Sequence, residues 1–137
     1  MRQVDVALQI AWRLYGTPYI WGGIRPMTGL DCSGFVQVVL SEVGLMPGPI
    51  REDMTAAGIW DRYKEKSVDS PIPGSLVFYG NPISHVMLCL DPFFCIGATG
   101  GDRDCRTVEQ AQAKDARVKV RQINYRADVK GYINLFQ

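Results

Sequence analysis

The sequence predicts an α+β domain in which N-terminal helices pack on a central antiparallel β-sheet. Three observations carry the prediction. Apolar residues at helical spacing are confined to the first half, where Ala7, Ile10, Ala11, Leu14 and Tyr15 mark one face. Short apolar runs bounded by turn residues fill the second half, at residues 75–79, 85–90 and 93–96. The connections between those runs are too short to cross over and must join antiparallel neighbours. Helices first and strands later is the α+β signature. The 137 residues, 47% of them hydrophobic, are enough for one core, so residues 1–137 are read as a single domain.

The first helix should stop at Gly16. From there to Gly29 the glycines and prolines exclude regular helix and predict an irregular loop. Phe35, Val36, Val38, Val39, Leu40 and Val43 then form a helix so apolar that it must be packed on both sides, with Asp31 as its N-cap and Gly44 as its stop. A turn-rich stretch over residues 44–49 leads to a short helix at 54–63. Pro73-Gly74 introduces the first strand, Gly80-Asn81-Pro82 separates it from the second, and Asp91-Pro92 turns the second into the third. Residues 97–106 read as a polar loop and residues 108–114 as one or two helical turns. Strict alternation in Arg117-Val118-Lys119-Val120-Arg121 predicts a half-buried strand with its basic side chains toward water, and residues 130–135 a final strand.

Composition excludes several functions. Fifteen basic against fourteen acidic residues leave a net charge of +1, which argues for neither a nucleic-acid nor a membrane partner. No window reaches the length of a membrane span, and an acidic residue, Asp5, stands where a signal peptide needs an apolar core. The expectation is a soluble chain without a signal peptide, delivered by other machinery if it acts outside a cytoplasm. One histidine and cysteines at 32, 89, 95 and 105, without a Cys-x-x-Cys pair, fit no common metal site, so no metal and no cofactor are expected. Cys89 and Cys95 lie in strand-like runs and read as free packing residues, while Cys105, in a polar loop, says nothing.

Cys32 and His85 carry the chemistry. A cysteine beside apolar residues is, taken alone, more often inert than reactive, and a lone histidine is more often structural. Their joint placement points the other way. Cys32 falls in the first turn of a helix, between polar Asp31 and Ser33, where free backbone N–H groups can stabilise a thiolate and later an oxyanion. His85 opens a strand that could pack against that helix, and a helix-start thiol with a strand-borne base is what a cysteine hydrolase needs.

Four motifs in order extend this reading: Pro18-Tyr19-Ile20-Trp21-Gly22-Gly23, Asp31-Cys32-Ser33-Gly34-Phe35-Val36, Pro73-Gly74-Ser75-Leu76-Val77-Phe78 and Ser84-His85-Val86. Together they resemble the motifs of the NlpC/p60 superfamily of papain-like cell-wall cysteine peptidases. The resemblance implies a papain-like fold, with Cys32 attacking an amide carbonyl and His85 moving the proton. It also implies that Tyr19 helps form the oxyanion and substrate site, and that Asp31 and Ser33 bind the free amino end of a peptidoglycan stem peptide. The implied cleavage lies between D-glutamate and a diamino acid. A short single-domain chain of this kind resembles phage-encoded members, associated with a virion tail and its proteins, and also effectors injected into the periplasm by secretion machines.

Two departures stand out. Gly74-Ser75-Leu76 replaces the family's Gly-Asp-Leu, at a position expected to be peripheral. More seriously, Gly97 stands where the family places a polar residue, often histidine, to orient the catalytic imidazole. Thr99, Asp91, Asp102, a backbone carbonyl or a water are the candidate substitutes. Two alternatives to a peptidoglycan endopeptidase therefore remain: a cysteine amidase or acyl hydrolase on another substrate, and a catalytically weakened wall-binding or tail module.

Overall fold

Each helix begins where a side chain can satisfy its free amide groups. The computed structural model describes residues 1–136. Helix α1, Gln3–Arg13, starts with reciprocal contacts between Arg2 and Asp5 and buries Ala7 and Ala11. Helix α2, Cys32–Glu42, is capped by Asp31, whose Oδ1 accepts the Gly34 N–H at 2.7 Å. Eight of its residues are buried, as its composition predicts, and it packs against α1 and the sheet. Among them is Gln37, whose amide donates to the Glu52 carbonyl at 2.6 Å and accepts from the Met54 N–H at 3.1 Å. The turn-rich stretch is thereby fastened to α2, and Thr55 then caps α3, Ala56–Tyr63.

The predicted meander is present: β4 (Leu76–Tyr79), β5 (His85–Cys89) and β6 (Phe94–Thr99) are consecutive antiparallel neighbours. Sequence reading ended the last of these near residue 96, whereas β6 runs on to Thr99 because all six of its residues pair with β7, Arg117–Gln122. Gly97 is therefore in mid-strand, opposite Lys119. Strand β8, Val129–Ile133, returns to lie beside β4, and β3, Ser67–Val68, adds an edge. The order is β3-β8-β4-β5-β6-β7. Neither β3 nor the two-residue pair β1 (Ile24–Arg25) and β2 (Gly29–Leu30) inside the long loop has a pattern legible in sequence. Helix α4 spans Val108–Lys114.

Alternation divides the sheet residues between two faces. Leu76, Phe78, Val86, Leu88, Ile96, Ala98, Val118 and Ile133 join the helices in the main core. Val77, Tyr79, Met87, Cys89 and Cys95 form a second cluster with Ile123 on the opposite face. Cys89 and Cys95 are buried free thiols, as expected. Ser75 is not peripheral: it is fully buried, accepting the Ile72 N–H and donating to the Ile72 carbonyl, so it closes the turn that starts β4.

The first turn of α2 is pressed against the preceding loop. A Cβ on Gly34 would collide with the Gly23 carbonyl and stand 2.9 Å from the capping Asp31 Oδ1. Gly34→Ala is expected to lower unfolding stability by at least about 2 kcal/mol, since neither backbone nor cap can yield without cost. Gly48→Ala meets only ordinary contacts, and should stay within about 0.5 kcal/mol of the parent in the same guanidinium titration.

Candidate active site

Strands β5 and β6 share only two register pairs, Leu88↔Ile96 and Cys89↔Cys95, and part toward their other ends. In β5 the Cys89 N–H points to β4, donating to the Ser75 carbonyl, and the Leu90 N–H points to Phe94 at the β6 side. By the same alternation the Val86 N–H faces β6, in the stretch where the ladder has stopped. The first turn of α2 meets β5 there. The Cys32 sulfur lies against the Val86 N–H and against the amide groups of Cys32 and Ser33, all of which favour a thiolate. Burial opposes them, with Asp31 adding to it, and pushes the thiol up to about 12.

The strand that His85 opens packs against α2, as expected, but the His85 side chain alternates onto the far face. Its register partner is Tyr79, not a residue of the helix-facing core, and its ring lies 5.7 Å from the Tyr79 ring centroid at 38°. What reaches α2 from this strand is Val86 and Leu88. Cys32 therefore meets β5 from the helix side, beside the Val86 N–H that follows His85, while the His85 ring lies against Tyr79 on the other face. Burial, with Arg126 next in importance, depresses the imidazole to about 4, so it is neutral near pH 7. Its Nε2 is buried and has no hydrogen-bond partner.

Tyr19, Asp31 and Ser33 gather on the α2 side. Asp31 Oδ1 also accepts the Ser33 hydroxyl at 3.2 Å and Oδ2 the Gly22 N–H at 3.2 Å; burial nevertheless raises its carboxyl above the usual range, with Asp53 contributing. Tyr19 is buried close enough to Cys32 and Asp31 that its hydroxyl stays protonated, burial being the larger cause. Cys105, silent in sequence, is fully buried and donates its S–H to the Tyr19 carbonyl at 3.2 Å. Its partner lies 86 positions away, a contact no local pattern could announce.

None of the side chains considered as substitutes at position 97 turns to His85. Thr99 Oγ1 is 3.4 Å from the Tyr125 hydroxyl, Asp91 caps its own turn through the Phe93 and Phe94 N–H groups, and Asp102 is paired with Lys114 at 2.9 Å. The space beside Gly97 is taken by Met87. Instead, Arg126, Asp128 and Arg121 supply the charges felt by His85; sequence reading singles out only Arg121 among them, as a solvent-facing residue of β7. The basic side chains of β7 are engaged: Arg117 and Lys119 bind Asp115, and Arg121 lies over the Tyr125 ring at 4.9 Å. Among the described residues no cluster could hold a metal ion, and no helix is long and apolar enough to cross a membrane.

Comparison with known proteins adds three findings. The NlpC/P60 family matches residues 16–122. The bifunctional muramidase/DL-endopeptidase CwlT of Bacillus subtilis is 35% identical over 77 residues, which cover 56% of this chain and 22% of that protein. The probable peptidoglycan endopeptidase LytE of the same organism is 39% identical over 66 residues, 48% of this chain and 17% of its own. The chain thus spans only about a fifth of the length of these relatives. In fold it is similar to the peptidoglycan hydrolase RipB of Mycobacterium tuberculosis, with a TM-score of 0.74 at 21% identity, covering 98% of this chain and 65% of that one.

The depressed imidazole makes stability depend on pH. The unfolded chain takes up this proton near pH 6.5 and the folded one only near 4, so the stabilisation is complete above 6.5 and is lost as pH falls through that interval, at up to about 1.4 kcal/mol per pH unit. His85 is the only histidine. Its imidazole resonances should titrate as one curve with a midpoint near 4, and His85→Gln should flatten the stability profile there. A midpoint at the ordinary value would show that the ring is solvated.

Proposed function

Because the chain belongs to the NlpC/P60 family, we propose that it is a cysteine hydrolase of peptidoglycan stem peptides, with Cys32 as nucleophile and His85 as general base. The observation that carries the proposal is the placement of Cys32 in the first turn of α2, directly after the capping Asp31 and next to Ser33, with the Val86 N–H of the His85 strand beside it. Burial works against charge on both partners at rest, so the reaction starts from a neutral thiol and a neutral imidazole. Cys32 gives its proton to His85 as the sulfur bonds to the scissile carbonyl carbon. The oxyanion is received by the N–H groups at the helix start and by the protonated Tyr19 hydroxyl. His85 returns the proton to the leaving amine as the C–N bond breaks. Water then gives its proton to the same imidazole as it adds to the thioester carbonyl, and the imidazole passes that proton to the sulfur as the C–S bond breaks and the acid leaves.

Asp31 and Ser33, joined by a hydrogen bond beside the nucleophile, are the groups we assign to the free amino end of the stem peptide. The bond we assign is the D-glutamyl–diamino acid amide, in line with the DL-endopeptidase activity carried in the name of CwlT. A second reading, a catalytically weakened wall-binding module, is favoured by one observation, the unpartnered Nε2 of His85.

The two readings separate when purified protein is incubated with muropeptides and the products are analysed by mass spectrometry. Cleavage on the carboxyl side of D-glutamate is expected, with Cys32→Ala and His85→Asn each reducing kcat by about 10³-fold or more. Cleavage that survives Cys32→Ala would sink the mechanism. Failure of the folded parent protein to cleave any muropeptide while still binding them would establish the module.

A further inference from the structure

Position 97 leaves His85 without an orienting side chain, yet the imidazole is surrounded by charge. Tyr79 faces it from β4, with Met87 on the same face of β5 and Tyr125 against Tyr79; Arg121 of β7, Arg126 after it and Asp128 ahead of β8 act on it by charge. Within this set Asp128 is the one carboxylate acting on the imidazole. Its place is fixed on three sides. Its carbonyl accepts the Gly80 N–H at 2.9 Å, which ties it to the β4–β5 turn ahead of His85. Its carboxylate receives Arg126 through two bonds, Nε to Oδ1 at 2.8 Å and a terminal nitrogen to Oδ2 at 2.5 Å. Arg126 in turn lies over the Tyr79 ring, 5.4 Å from its centroid, and that ring is the one against which His85 packs. Tyr79 is anchored by its hydroxyl, which donates to the Ile123 carbonyl at 2.7 Å. In register, Val129, Tyr79 and His85 form one row across β8, β4 and β5, with Asp128 at its end.

This arrangement solves an electrostatic problem. When Cys32 passes its proton to His85, an imidazolium forms in a poorly solvated place that already faces two guanidinium groups. We propose that Asp128 is the positioning residue of His85 on this chain: by holding and neutralising Arg126 against Tyr79, it lets the imidazole accept the Cys32 proton in the absence of a polar side chain at position 97. The proposal rests on the reading of Cys32 and His85 as nucleophile and base. Asp128 touches neither substrate nor sulfur; it acts through Arg126 and Tyr79.

Asp128→Asn and Arg126→Gln break the same ion pair, and a purely structural pair would give both variants the same effect. Here the signs are opposite. Asp128→Asn leaves Arg126 uncompensated, so the imidazolium is harder to form; Arg126→Gln removes a repulsive charge and leaves the carboxylate, so it is easier. The substrate-independent measurement is the rate of Cys32 alkylation by iodoacetamide from pH 5 to 9, with mass spectrometry locating the label, alongside the imidazole titration of the lone histidine. Asp128→Asn should slow alkylation near pH 7 by about tenfold, and Arg126→Gln should speed it by about threefold and raise the His85 midpoint. Asp128→Glu should recover most of the rate. On muropeptides the Asp128→Asn loss should fall on kcat, with KM changed less than about twofold. Both variants moving alkylation in the same direction, or neither moving it, would overturn the proposal, with circular dichroism confirming that each is folded. Since alkylation and titration need no murein, they decide the role of Asp128 even if the parent protein cleaves no muropeptide.

Discussion

The site depends on the parting of β5 and β6. A continuous ladder between these strands would spend the Val86 N–H on a backbone partner and deny it to Cys32. The ladder instead stops after two pairs, while β6 keeps six pairs with β7. The opening thus costs hydrogen bonds on one side of β6 only, and the other side holds that strand in place. Into the opening comes the first turn of α2, whose amides are free because a helix start has no intrahelical partners for them. Sulfur is a suitable occupant, since it accepts several weak N–H contacts at once. The thiol therefore fills a structural gap, in surroundings whose burial keeps it protonated.

The same geometry accounts for the glycine at position 97. Met87 and Gly97 are neighbours on β5 and β6 where the strands part, and the thioether takes up the room that a larger side chain at 97 would need. Met87 also accepts from the Tyr125 hydroxyl and the Cys95 thiol. The far face of the sheet has thereby become a sulfur and aromatic layer around Tyr79, with charge confined to its rim at Arg121, Arg126 and Asp128. A low-polarity layer keeps the imidazole neutral near pH 7, because burial penalises its charged form.

Most of the architecture could be read from the sequence because it is governed by local signals: the Asp31 cap, the apolar run of α2, the turns that bound the meander, and the alternation of β7. The placement of Cys32 was legible for the same reason, at a helix start with a recognisable N-cap. What could not be read was set by partners far away in the chain. Sequence placed His85 on a strand against α2, but its facing was decided by register with Tyr79. Cys105 looked idle in a polar loop, because the Tyr19 carbonyl that receives its proton is 86 positions away. Arg126 and Asp128 form an unremarkable Arg-x-Asp in sequence, and only the pairing of β8 with β4 brings their charges to His85. Ser75, expected at the periphery, is interior because the turn it closes is covered.

The segment before β1 runs along the outer edge of β7. Gly16 and Tyr19 donate to the Val118 and Ala116 carbonyls, and the Val118 N–H donates to the Thr17 carbonyl, so residues about a hundred positions apart are hydrogen-bonded. This covers an edge that would otherwise be open to another chain. It also bears on the order of folding. Closing so long a loop is entropically costly and must await the contacts between its ends. The meander can pair from local contacts, but Tyr19 reaches Cys32 only after β7 has joined the sheet and received the N-terminal segment. The surroundings of Cys32 are therefore among the last parts of the molecule to form, and a nascent chain that has not yet emerged past residue 118 carries this thiol without the Tyr19 segment beside it.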